Sequence, residues 1–373
     1  MSDRKRIVVI GNGMAGARLV EELVARGGAD RFRITVFGEE PRGNYNRILL
    51  SGVLAGEYAA EDIFVNPVEW YVANGVTLHA GVRAEAIDRQ RRRVRGTDGI
   101  VEKYDELVLA LGSRAYVPPL LGLRAGGAHK PGVFAFRTLD DCDALLAYAG
   151  GVRRAVVIGG GLLGLEAARG LLLRGLEVHV VHLREHLMET QLDAQAGAIL
   201  RRTLERMGIR VHLGKKTTEV LGDARVEGVQ FDDGGTLPCD LVVLSAGIRP
   251  NVDLASEAGL TVERGIVVGD DLRSPDDPHV HAVGECAQHR GQVYGLVAPL
   301  WEQAQVLADR LSGRRPEARY EGSKVATRLK VMGVDLTVMG AREVGPDDEE
   351  VAFVNAARGI YQKVVLRGGQ VAG

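Results

Sequence analysis

An α/β fold built from two Rossmann-like dinucleotide-binding domains is what this sequence predicts, and three observations carry it. Gly-x-Gly-x-x-Gly occurs twice, at Gly11-Asn12-Gly13-Met14-Ala15-Gly16 and at Gly159-Gly160-Gly161-Leu162-Leu163-Gly164. Each copy follows a short apolar run and opens an apolar helical pattern, the strand–turn–helix order in which such a turn has meaning. Two later apolar runs, from Leu107 and from Leu241, close alike on small residues and glycine, at Ala110-Leu111-Gly112-Ser113 and at Ser245-Ala246-Gly247.

The first glycine of such a turn permits the tight bend, the second lets the backbone approach a pyrophosphate, and the third lets helix and strand pack closely. The helix start then presents free N–H groups to the phosphates. Gly11, Gly13 and Gly16 with Met14 and Ala15, and Gly159, Gly161 and Gly164 with Leu162 and Leu163, are therefore candidate dinucleotide contacts. The two alike glycine endings argue for two similar folds, with Ala110 and Gly112, and Ala246 and Gly247, as further candidate dinucleotide contacts.

Along the chain, Ile7–Ile10 reads as a buried strand and Ala15–Arg26 as a helix with Leu19, Val20, Leu23 and Val24 on one side. Ile34–Phe37 is the next parallel strand. Glu39 follows it, a little over twenty residues beyond Gly16, where an acid meets adenosine ribose hydroxyls. Pro118 and Pro119 mark a crossing into the second unit, whose strands begin at Val152 and Leu176. The run His279–Ala287 needs a sheet, and the economical placement returns it to the first domain, which makes the second an insertion. The expected boundaries are 1–116 with 248–318 for the first domain, 117–247 for the inserted one, and 319–373 for a small α+β C-terminal interface domain. That last segment ends directly after the strand-like Gln370-Val371-Ala372 and reads as incomplete.

With 373 residues, 46% of them hydrophobic, the chain can bury a large core. A formal net charge of -2 supplies no global attraction to nucleic acid or to an anionic membrane. The basic run Arg89–Arg95 reads as a solvated hairpin. No apolar stretch resembles a cleavable leader or a bilayer span, so a cytoplasmic location is expected. Cys142, Cys239 and Cys286 are widely separated, without the spacing of a redox disulfide, a zinc site or an iron–sulfur cluster. Electrons are expected to travel on a bound organic cofactor, with no iron–sulfur or sirohaem group in this chain. His179, His182 and His186 span a strand and a turn and do not read as a metal site.

The order of these motifs, closed by Ala282-Val283-Gly284-Glu285, resembles the pyridine nucleotide–disulfide oxidoreductase family over nearly the whole chain. The stretch Phe37–Ser51, with Leu54-Ala55-Gly56-Glu57, His186–Glu189, Gln191–Asp193 and Thr327–Lys330, is similar to the flavin module of assimilatory NAD(P)H nitrite reductases. It is also similar to the electron-transfer subunit of assimilatory nitrate reductase. The resemblance implies FAD on the first fingerprint, with Glu39 at its adenosine end and Gly284 and Glu285 at its ribityl end. Asp is commoner in the family where Glu285 stands. It further implies Arg47 beside the FAD, and Ala298 and Pro299 opening a helix under the flavin pyrimidine. NADH or NADPH would occupy the inserted domain, with Glu166 reaching the nicotinamide carboxamide.

By spacing, the acid that would meet an NADH ribose is replaced by His182, and Arg184 follows, so coenzyme preference stays open. The family's redox cysteines are missing, and Gly52 stands where some ferredoxin reductases carry Lys. The implied activity is a diaphorase that passes electrons from NAD(P)H through FAD to an iron–sulfur, sirohaem or rubredoxin-like acceptor. A stand-alone rubredoxin or ferredoxin reductase and a regulatory NAD(P)H-sensing flavoprotein are the alternatives. A homodimer is compatible with the sequence.

Overall fold

The structure is a computed structural model that describes residues 4–125, 127–324, 326–331, 334–341 and 343–373. Its contacts divide it into two compact units. One comprises Met1–Asn46, Ile63–Arg114 and Arg249–Val325, the other Arg47–Asp62, Ala115–Ile248 and Ala326–Gly373. Relative to the boundaries expected from sequence, two segments fall differently. Arg47–Asp62 clusters with the second unit because its helix Leu50–Ala55 packs on the helices Leu139–Ala149 and Leu162–Leu173. The segment from Ala326 clusters there as well.

The first unit is built on a five-stranded sheet in the order Val280–Ala282, Glu106–Leu109, Lys5–Ile10, Phe32–Gly38, Thr77–Ala80. Every pairing in it is parallel, with Val9 opposite both Val36 and Val108. Continuous apolar runs such as Ile7–Ile10 and Leu107–Leu109 are almost wholly buried, as strands covered on both faces must be. The helices Met14–Ala25 and Val297–Leu311 pack together over this sheet. The strand Val280–Ala282 joins it at the edge beside Glu106–Leu109. The basic run lies in a three-stranded antiparallel sheet of Ala84–Asp88, Arg93–Gly96 and Val101–Lys103.

The second unit repeats the plan. Its five-stranded sheet runs Val133–Ala135, Leu241–Leu244, Arg154–Ile158, Glu177–Val181, Arg210–His212, again parallel throughout. The strand Arg154–Ile158 sits centrally, as Lys5–Ile10 does in the first sheet, and each central strand leads into its fingerprint turn. The described residues from Ala326 onward form strands and turns: a hairpin Ala326–Val331 with Val334–Met339, and a three-stranded sheet Glu349–Asn355, Ile360–Arg367, Gln370–Val371. Asp193, capping the helix Ala194–Arg206, accepts hydrogen bonds from Tyr361 Oη at 2.6 Å and Lys363 Nζ at 2.7 Å, which ties this sheet to its unit. Val325 and Met332 of the expected strand, and the side chains of the Thr327–Lys330 motif, lie outside the described residues. No helix among the described residues is long and apolar enough to cross a membrane.

Candidate functional site

In the first unit the three fingerprint glycines do three different jobs. Gly11 has φ +112°, and a methyl group on it would lie 2.1 Å from the carbonyl oxygen of Ala110. Its N–H donates to Phe37 O at 2.8 Å, so the turn is fixed to the strands on both sides. A methyl on Gly16 would meet Gly11 O at 2.0 Å, so the helix is seated directly on the turn. Gly13 faces open space with nothing within 4 Å, and it begins the helix Met14–Ala25 with no side-chain cap on the free N–H groups. An open backbone surface next to uncapped helical N–H groups is the shape a pyrophosphate requires.

Sequence reasoning passed over Asn12, inside the same motif. Its Oδ1 accepts from Tyr71 Oη at 2.6 Å, its carbonyl accepts from Asn44 Nδ2 at 3.0 Å, and its buried Nδ2 has no partner among the described residues. Glu39 stands exposed directly after the strand Phe32–Gly38. Gly112 has φ +63° with open space around it, and Asn251 holds this turn by donating to Leu111 O at 2.9 Å and accepting at Oδ1 from Arg114 at 3.2 Å.

Gly284 has φ +88° and lies so close to the fingerprint helix that a methyl would come 2.8 Å from Ala15 Cβ. Its N–H donates to the fully buried Gln303 at 2.8 Å, a second residue the sequence did not point to. Glu285 is buried and accepts from Ser113 Oγ at 2.7 Å, joining the two glycine-rich segments that the sequence singled out separately. Cys286 is buried among backbone carbonyls, and burial pushes its thiol up to about 12, which makes it a packing residue. Ala298 is exposed and Pro299 buried in the first turn of Val297–Leu311, another helix start without a side-chain cap. Trp301 is 38% exposed, with the Arg18 guanidinium 5.3 Å over its ring.

The second unit reproduces the turn nearly atom for atom. Gly159 has φ +126° with Ser245 O at 2.1 Å from an added methyl, Gly164 has Gly159 O at 2.1 Å, and Gly161 faces open space. Leu162 and Leu163 are half-buried in the uncapped first helical turn. Ala246 and Gly247 are exposed beyond the strand Leu241–Leu244, with Gly247 at φ +107° in open space. Glu166 has no hydrogen-bond partner among the described residues, and burial raises its carboxyl to about 7.

His182 is buried, and its side chain turns inward. Nδ1 accepts the Gly160 N–H at 3.1 Å and Nε2 lies 3.0 Å from Glu189 Oε2. His182, a candidate coenzyme contact from its place after the second strand, thus braces the turn from beneath. Arg184 is exposed and makes no ion pair among the described residues. Arg47 belongs by contact to the second unit, where its guanidinium donates to Arg137 O at 3.3 Å.

Comparison with known proteins follows this geometry. A family model described as pyridine nucleotide-disulphide oxidoreductase matches residues 5–306. The chain belongs to the pyridine nucleotide-disulphide oxidoreductase family. By class it is an FAD-dependent NAD(P)H oxidoreductase. Residues 326–373 match a second model, the rubredoxin NAD+ reductase C-terminal domain. The chain is 46% identical over 370 residues to a nitrite reductase [NAD(P)H] of Bacillus subtilis, covering 99% of this chain and 45% of the relative. It is 40% identical to an assimilatory nitrate reductase electron transfer subunit of the same organism, covering 99% of this chain and 47% of that one. The chain thus spans about half the length of the curated relatives it matches. Among solved structures, a ferredoxin reductase for the CYP199A2 system of Rhodopseudomonas palustris superposes with a TM-score of 0.87 at 29% identity, covering 99% of this chain and 90% of that one.

Proposed function

We propose that the first unit holds FAD, the second holds NADH or NADPH, and the chain is the electron-input module of a nitrite- or nitrate-assimilating enzyme. Its acceptor on this reading is an iron–sulfur, sirohaem or rubredoxin-like centre. The observation that carries it is the doubled turn, in which the middle glycine of each copy faces open space beside uncapped helical N–H groups. The names of the nitrite reductase and electron-transfer relatives supply the physiological setting.

In the first unit, Gly13, Met14 and Ala15 would offer backbone N–H groups to the FAD pyrophosphate and Glu39 would accept from the adenosine ribose hydroxyls. Glu285, oriented by Ser113, would accept from a ribityl hydroxyl. The uncapped helix start at Ala298 and Pro299 would stabilise negative charge near the flavin pyrimidine. FAD, when bound, accepts one hydride, two electrons with a proton, and releases the electrons singly. Arg47 remains a proposed flavin neighbour on resemblance alone.

In the second unit, Gly161, Leu162 and Leu163 would hold the coenzyme pyrophosphate, with Ala246 and Gly247 on the neighbouring strand end. The partnerless Glu166 carboxyl would take the nicotinamide carboxamide N–H and fix the ring's orientation. Arg184, exposed and without an ion-pair partner among the described residues, suits a 2′-phosphate, and no carboxylate follows the strand Glu177–Val181 directly to repel one.

Anaerobic stopped-flow mixing of the FAD-loaded protein with NADH and with NADPH tests the reading. Rapid bleaching of the oxidised flavin band by at least one coenzyme is expected. Failure to retain flavin, or flavin that neither coenzyme reduces, would overturn it. The rubredoxin-reductase C-terminal match and the ferredoxin reductase likeness favour a second reading, a stand-alone rubredoxin or ferredoxin reductase. Turnover with an added rubredoxin that exceeds turnover with a sirohaem protein would select it.

A further inference from the structure

The coenzyme turn rests on an imidazole. We propose that His182 is a positioning residue for the coenzyme pyrophosphate, acting through the Gly160 N–H, and that its protonation releases the turn and weakens coenzyme binding at acid pH. This rests on the reading of the second unit as the NAD(P)H site.

The Gly160 backbone N–H donates to His182 Nδ1 at 3.1 Å, which requires an unprotonated Nδ1. The ring proton therefore sits on Nε2, where Glu189 Oε2 lies 3.0 Å away to receive it. The backbone holds the residue in place as well, since His182 N donates to His212 O at 2.8 Å and Lys215 N donates to His182 O at 3.0 Å. The contact is intimate on the turn's side too. A methyl on Gly160 would lie 2.9 Å from His182 Cγ and 2.5 Å from Leu187 Cδ2, so a glycine is required at this point because the imidazole lies against it. Met188 N donates to Gly160 O at 3.0 Å, closing the turn onto the His182–Glu189 segment from its other end. Gly160 stands between the tight-turn glycine and the open Gly161, so moving it moves the pyrophosphate cradle.

A second proton on the ring would set Nδ1–H against Gly160 N–H, two donors 3 Å apart, and one of them must move. The charged groups around the ring act in both directions. Glu189 favours the imidazolium, with Glu185 in the same turn. Arg184 and His186 on that turn, and His212 and Lys215, which are bonded to His182 through the backbone, oppose it. Lys215 is partly neutralised by Asp233, its ion-pair partner. Burial raises the Glu166 carboxyl, on the fingerprint helix, to about 7, so it has to be kept out of the measurement.

ADP-ribose and its 2′-phosphate serve as probes because they carry the pyrophosphate without the nicotinamide that Glu166 would meet. Their affinity for the full chain is measured by calorimetry between about pH 8 and pH 5.5. The expected result is a fall of about tenfold toward acid pH, the size of one lost hydrogen bond at the turn. In His182→Asn, where Oδ1 keeps an acceptor for Gly160 N–H but cannot titrate, affinity should hold near the neutral-pH value throughout. In His182→Ala it should be weak throughout. A pH-independent wild type, or a His182→Asn profile that falls as the wild type does, would overturn the inference. Absence of probe binding at every pH in the wild type would remove the coenzyme reading itself, and this inference with it.

Discussion

The two Gly-x-Gly-x-x-Gly turns are one construction made twice, and they differ in what surrounds them. Methyl groups on the first glycines, Gly11 and Gly159, would each lie 2.1 Å from a carbonyl oxygen of the neighbouring strand's end, and both middle glycines face open space. The residues beside them part company. Asn12 is bonded to a tyrosine, whereas its counterpart Gly160 is pressed by His182 and Leu187. Two residues past the third glycine, Arg18 is ion-paired with Glu21 and Glu22, while Glu166 at the equivalent place is a carboxyl with no partner. The shared atoms make the strand-to-helix turn, and the differing ones set what each turn can hold.

The largest effect should come from breaking the shared part. Gly11→Ala and Gly159→Ala each force a side chain into a left-handed backbone and onto a carbonyl oxygen, destabilising the unit concerned by about 3 kcal/mol or more. Denaturant unfolding should show losses of similar size. A markedly smaller loss at either glycine would break the equivalence of the two turns.

Glu166 sharpens the contrast in charge. Its folded-state value of about 7 lies above the ordinary 4.5, so the folded protein prefers the protonated form. Its contribution to stability is fully present below about pH 4.5 and lost as pH rises through 7, a difference of about 3 kcal/mol in the ligand-free protein. Glu166→Gln should therefore raise the ligand-free melting temperature at pH 8 and leave it unchanged near pH 4. An unchanged melting temperature at pH 8 would show that the carboxyl is solvated.

Tyr71→Phe probes a brace that only the first turn has. The hydroxyl donates to Asn12 Oδ1 and takes the Asn44 backbone N–H, and its removal strands both. A loss of about 2 kcal/mol is expected, read as a lower unfolding midpoint. Equal stability would mean that water replaces the hydroxyl.

Both turns and the strands around them were legible in the sequence because their constraints are local, whereas the outer strands Thr77–Ala80, Val133–Ala135 and Arg210–His212 were not read. A positive φ and a close backbone approach demand glycine at fixed spacing, and strands buried on both faces demand unbroken apolar runs. Topology rules returned the run His279–Ala287 to the first domain, but not its pairing with Glu106–Leu109. What could not be read depends on side-chain direction across long separations. His182 was visible as a departure from an expected acid, but that it turns under Gly160 is decided by Glu189 and Leu187. Ser113 and Glu285 were quoted in separate motifs, and their bond exists only because adjacent strands deliver both ends to one edge. Gln303 gave no signal, being one of several polar residues in its helix, with Glu302, Gln305, Asp309 and Arg310. Arg47–Asp62 was assigned to the first domain by its motif, while its helix finds its apolar partners in the second unit.

The smallest effect on folding should come from the middle glycines, and it separates ligand recognition from turn formation. Gly13 and Gly161 have φ of −80° and −88°, which any residue adopts, and a methyl on either would touch nothing within 4 Å. Gly13→Ala and Gly161→Ala should therefore leave the ligand-free melting temperature close to wild type. Each methyl nevertheless stands where a pyrophosphate would approach the backbone. Flavin retention by Gly13→Ala and coenzyme affinity of Gly161→Ala should each fall about tenfold or more, with the other ligand unaffected. Calorimetric titration of each variant with FAD and with NAD(P)H checks both arms. If Gly13→Ala lost the coenzyme and kept the flavin, the two turns would hold the reverse of the proposed pair.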